Sequence, residues 1–214
     1  MDVSEIRYQM MLSYSDLVAY LITKYGDAKY NYFTNETCAT KTRGLTRTRD
    51  GLICHHIDED KADKLSDPQF AIRYPFEYQK AERLVYCNYL EHLLLHISIS
   101  KLRHEKYGSK IEDAKNLSKI ILPGVRFICA DLNWFYDHSD ILVGWKKNCY
   151  DTIADNYDDY IDILRDFIRY IHQQYTKPIK SSKKLKSEIE HIRFLLSSYQ
   201  NGYFSESIYD DLEE

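Results

Sequence analysis

The chain has 214 residues, 44% of them hydrophobic and 29% charged, a globular composition that excludes a disordered or fibrous polymer. A net charge of −4 excludes binding to nucleic acid by bulk charge, so any phosphate contact must be local. No apolar run reaches the about 18 residues of a membrane span, and a chain this long buries a core without metal, so a metal here would serve chemistry.

The five cysteines, Cys38, Cys54, Cys87, Cys129 and Cys149, are odd in number and form no C-x-x-C pair. The N-terminal MDVSEIRYQ has neither a basic n-region nor an apolar h-region. Free thiols in a reducing cytoplasm are therefore expected, with Cys54 and Cys87 as small buried residues.

The first predicted element is a helix over Ser15–Tyr25, with Leu17, Val18, Leu21 and Ile22 at helical spacing. Ser15 and Asp16 can cap its start, and Gly26 fits its stop. Residues 27–50 are polar and aromatic with little periodicity. The Asp50-Gly51 turn signal leads into a strand, Leu52–Ile57, ended by Asp58-Glu59-Asp60. Lys61–Lys80 reads as a long loop with a short helix; its Tyr74, Pro75, Phe76 and Tyr78 are expected to pack it. Arg83–Cys87 is a second strand, and Asn88 caps a helix running toward Leu102.

Helices are predicted beyond Gly108 at Ser109–Leu122, Pro123–Tyr136, Tyr157–Tyr175 and Ser181–Tyr199, followed by an acidic tail, Ser205–Glu214. Trp134, Tyr136 and Trp145 form an aromatic zone expected in the core. Pro178 and Ser181-Ser182 mark the best linker. The expectation is a predominantly helical α+β fold. A short two-stranded hairpin plus helix forms its core at about 50–102. That core lies within a unit spanning 1–107, with an N-terminal helix ahead of it and a C-terminal helical extension, 108–214, behind.

His92 and His96 are four residues apart on a predicted helix, so both imidazoles share one face and can hold one ion. The pair alone also fits two partly buried helix histidines. A zincin motif is excluded, because the residue after His92 is Leu93 and not Glu. His55-His56 adds two adjacent histidines at the end of a strand, where neighbours point to opposite faces unless the strand bends or ends.

His55-His56, a loop, the strand to Cys87 and His92-Leu-Leu-Leu-His96 together resemble the HNH endonucleases, the ββα-metal nucleases, over about residues 50–100. The nearest variety has a His-His first strand and an HxxxH helix, as in bacteriocin DNases and phage proteins. The resemblance implies one divalent ion (Zn, Ni, Mn or Mg) on His55, His92 and His96. It implies that His56 is the general base that takes a proton from water, and that DNA, or RNA, is the substrate. Glu91, Asp58 and Asp60 are candidates to orient the ligands, or ordinary surface acids.

The chain departs from the family at Arg83, which stands where an Asn normally braces the base, nine residues before His92. Arg cannot accept a hydrogen bond as an amide does. Arg83 is thus a candidate catalytic phosphate contact, or a sign of a degenerate scaffold that only binds protein or nucleic acid. The basic segment with Lys41, Arg43, Arg47 and Arg49, just before the first strand, is the candidate phosphate-binding patch. Lys177–Lys186 and the C-terminal helices are open to DNA, a protein partner or a second copy.

Overall fold

The helix that carries His92 and His96 is the axis of the fold. Leu90, Leu93, Leu94, Leu95, Ile97 and Ile99 sink its first half into the core, while Glu105 and Lys106 near its end are exposed. The structure, a computed structural model, describes residues 3–107 and 117–198. It is a predominantly helical α+β fold with one two-stranded antiparallel sheet among the described residues.

Helices α1 (Val3–Met10) and α2 (Tyr14–Tyr25) open the chain. Ser13, not Ser15 or Asp16, caps α2 by accepting from the Asp16 N–H. Gly26 ends it at φ 79, with its N–H donating to the Ile22 carbonyl. Strand β1 (Ile53–His56) pairs with β2 (Leu84–Cys87), His55 opposite Val85 and His56 opposite Leu84. Both strands are shorter than predicted. Ile57–Asp60 and Ala81–Arg83 are taken by single 3₁₀ turns at their ends. The loop between them holds a short helix, α3 (Pro68–Ala71), and a 3₁₀ turn, Phe76–Gln79.

Asn88 caps α4 (Tyr89–Tyr107) as predicted, through a reciprocal pair. The Glu91 N–H donates to Asn88 Oδ1, and the Asn88 N–H donates to Glu91 Oε2, 2.8 Å each. Glu91 therefore serves the cap. Its other oxygen accepts from Gln9, Lys24 and Tyr25, tying α1 and α2 to α4, and it does not orient a metal ligand.

A π-helical turn, Leu117–Ile121, runs into α5 (Leu122–Asp137), with Pro123 in its first turn. Then come α6 (Gly144–Asp151), which the periodicity does not announce, α7 (Tyr157–Ser181), kinked at Tyr175, and α8 (Lys183–Ser198). Most of the predicted helix at Ser109–Leu122 and the tail Ser205–Glu214 lie outside the described residues.

One hydrophobic core runs from Ile6 in α1 through Leu93 in α4 to Ile192 in α8, so the extension and the ββα unit share it. A smaller cluster around Phe33, Leu45 and Leu84 fills the space under the loops. All five cysteines are free thiols. Among the described residues no helix is long and apolar enough to cross a membrane.

Candidate metal centre

Strand β1 presents His55 to α4, and the i, i+4 spacing of His92 and His96 presents two more rings to His55. The ring centroids stand 5.3 Å apart from His55 to each partner and 4.8 Å between His92 and His96. One nitrogen from each of the three lies within 4.8 Å of the others, which is within reach of one metal ion. His55 Nδ1 and His92 Nδ1 are buried and have no hydrogen-bond partner. Burial, and then repulsion between the clustered rings, holds His55 and His92 well below the ordinary histidine range; burial takes His96 down to about 4. The three rings are neutral at pH 7, the form that ligates metal.

The tautomer of His55 follows from Tyr14. The Tyr14 hydroxyl donates to the Ile57 carbonyl at 2.8 Å, so toward His55 Nε2, 3.1 Å away, it can only accept. His55 therefore carries its proton on Nε2 and leaves the Nδ1 lone pair for the shared space. Oriented ligand histidines are normally held this way.

His56 points to the other face of the strand. The amide of Gln79 donates from Nε2 to the Leu65 carbonyl at 3.1 Å, which turns its oxygen toward His56 Nε2 at 2.9 Å. His56 thus donates from Nε2 and keeps its lone pair on Nδ1. Burial, partly offset by the Gln79 hydrogen bond, takes its pKa down to about 4. The Tyr32 ring lies 4.3 Å away and the His56 side chain is 1% exposed, so this fourth imidazole is packed and does not face open water as the family pattern implies. Three imidazoles converge, and the fourth stands behind them.

Glu59 joins the two faces. The 3₁₀ turn after β1 folds its carboxylate back over the strand end, 3.2 Å from His96 Nε2, 3.8 Å from His55 Nδ1 and 3.8 Å from His56 Nδ1. Donor atoms on one tetrahedral ion stand about 3.3 Å apart, given bonds of about 2.0–2.1 Å, so the Glu59–His96 spacing suits a shared ion. Burial first, and the charge of Asp63 second, push Glu59 up to about 8.

The other acids of that turn have other work. Asp58 is buried and is gripped by Arg83, Nε to Oδ2 at 2.6 Å and Nη2 to Oδ1 at 2.5 Å, with Lys61 adding a third bond. Burial would raise the Asp58 carboxyl, but these bonds outweigh it and hold it below the ordinary range. Arg83 is thus the partner of a buried carboxylate beside the site. The Asp60 carbonyl accepts from Arg103.

Of the basic segment, Lys41 donates to the Tyr32 hydroxyl at 2.8 Å, beside His56. Arg47 is bound to the Tyr25 carbonyl and Asp50, and Arg43 and Arg49 are exposed. The α5 helix closes the other side of the centre. Gly124 lies so near His96 that a Cβ there would stand 2.8 Å from Nδ1. His92, His96, Glu59, Gly124, Phe127 and Asp131 line one cleft of about 310 Å³.

Glu59, Gln79 and Tyr14 are the residues that pattern reasoning misses. Of the three, only Glu59 carries a sequence signal, its place straight after a His-His strand. No protein-family model, curated protein or solved structure matches this chain.

Proposed function

We propose that the chain is a metal-dependent endonuclease of the HNH, ββα-metal kind that hydrolyses phosphodiester bonds in DNA. The observation that carries this reading is three neutral imidazoles with two unpartnered Nδ1 atoms, backed by a fourth imidazole held by an amide. His55 through Nδ1, His92, His96 and Glu59 would hold one divalent ion, and imidazole donors suit Zn, Ni or Mn better than Mg. Bound there, the ion supplies positive charge against the scissile phosphate and the leaving oxygen.

The chain's own residues do the rest. His56 accepts the proton of the attacking water at Nδ1, the one nitrogen its bond to Gln79 leaves free. Gln79 fixes the ring, the task given to the family's Asn, so the Arg at position 83 does not remove it. Tyr14 holds His55 in its ligating tautomer. Lys41, Arg43 and Arg49 meet substrate phosphates next to the strand.

A second reading is a silent scaffold that keeps the metal and binds protein or nucleic acid. The burial of His56 under Tyr32 favours it, because a base that serves water needs an opening. The two part in one experiment: metal analysis of purified protein, with cleavage of supercoiled DNA in Mn, Ni, Zn and Mg. The nuclease reading expects about one ion per chain and nicking that His56→Ala abolishes with metal retained. Metal-loaded protein that leaves DNA and RNA intact overturns it in favour of the scaffold.

A further inference from the structure

The solvent face of α5 leads away from the metal centre and carries rings where an exposed helix normally carries charge. Gly124, Phe127, Asp131, Trp134 and His138 follow one another at helical spacing. Phe127 is 65% exposed and Trp134 36%. Gly124, Phe127 and Asp131 border the cleft that holds His92 and His96, so the face begins at the centre itself.

Each ring has a cation over it. The Arg126 guanidinium lies 5.1 Å from the Phe127 centroid. Lys146 Nζ lies 4.0 Å from the Trp134 centroid and 5.8 Å from that of Trp145, which is also exposed. Trp134 stacks on His138 at 17° between planes. Two acids lie on this side: burial raises the Asp131 carboxyl and the charge of Lys146 offsets part of that rise, and Glu188 lies 3.6 Å from Arg126 Nε. The helix bearing Trp145 and Lys146 packs on the turn at Thr48–Asp50, Asn148 donating to the Thr48 carbonyl at 3.2 Å.

We propose that this face is a binding track for single-stranded nucleic acid, with unpaired bases stacked on Phe127 and, in place of His138, on Trp134, and phosphates met by Lys146 and by Lys119, which is exposed in the turn Leu117–Ile121 and lines the same cleft. A flat ring beside a cation is complementary to a base beside its phosphate, and stacking on it tolerates any sequence. A duplex hides its base faces and gains only the phosphate contacts, which the acidic chain provides sparingly. Phe127 and Trp134 are seven residues apart, about 10 Å along the helix, or roughly three stacked-base steps. A protein partner would favour a face depleted of Lys at its centre, and here Lys146 sits on the rings.

The track deepens the nuclease reading by naming its substrate class, and it is testable without cleavage. The experiment is fluorescence anisotropy in EDTA with the full chain, a labelled dT12 strand and a 12-base-pair duplex. The strand should bind at least tenfold more tightly than the duplex. Phe127→Ala and Trp134→Ala should each weaken it about 5- to 100-fold, and Lys146→Ala should lower the salt slope by about one. Both rings are exposed, so the variants should keep the wild-type circular dichroism. Equal affinity for duplex, indifference to ring removal, or no oligonucleotide binding with the rings instead driving self-association would each overturn the track. Plasmid cutting without a single-strand preference sinks the track and leaves the nuclease; ring-dependent strand binding by a protein that cuts nothing sinks the nuclease and leaves the track.

Discussion

Gln79 Oε1 lies 2.9 Å from His56 Nε2, although 23 residues separate the two in the chain. The Gln79 amide is anchored on the far side by the Leu65 carbonyl, so it cannot turn its nitrogen to the ring. The bond decides which nitrogen of His56 is basic. Gln79→Leu should lower kcat for plasmid nicking about 10- to 100-fold, in line with the loss of a partner that orients a site residue. Metal content should be unchanged, because Gln79 touches no ligand. Normal turnover by the leucine variant would show that the base needs no brace.

Tyr14→Phe removes the acceptor that keeps the His55 proton on Nε2. The ring then samples the other tautomer, which would present N–H to an ion bound by the three histidines. Metal affinity, measured by competition with a chromophoric chelator, should fall about 10- to 100-fold. An unchanged affinity would mean that the metal does not use His55 Nδ1.

Gly124→Ala puts a methyl group 2.8 Å from His96 Nδ1, so either the ring or the helix must yield. Overpacking of this kind costs about 1–3 kcal/mol. The expected result is a lower thermal midpoint together with weaker metal binding. Loss of stability with intact metal affinity would show that α5 moves and the ring stays.

The Asp58–Arg83 pair predicts a pH dependence. The folded carboxyl titrates below its ordinary value, so in acid the unfolded chain binds more protons than the native one. The pair's contribution is full above about pH 4 and is lost as pH falls through the lowered folded value. Arg83→Asn should reduce stability at pH 7 by about 1–3 kcal/mol, since Lys61 still partners Asp58. It should also flatten the acid limb of the urea midpoint against pH. An acid limb parallel to wild type would remove Asp58 from the account.

Local features were legible in the sequence. Two strands, the Asn88 cap, Pro123 at a helix start and the i, i+4 histidines all depend on neighbours within a few residues. The environment of the rings was not, because Tyr14 reaches His55 across 41 residues and Gln79 reaches His56 out of an irregular loop. Asp58 looked like a solvated acid because its partner, Arg83, stands 25 residues on. Trp134 and Trp145 looked like core, since aromatic content says nothing about which side of a helix is covered. The short helices α1 and α6 lack a run long enough to show a period.

Gly51 sits at φ 74, two residues ahead of the histidine strand, and a side chain there would stand 2.5 Å from the Asn148 backbone oxygen of α6. The histidine-bearing hairpin is therefore seated on a helix encoded almost a hundred codons downstream. Grafting the front half of the chain onto a different back half would deliver the histidines without their seat.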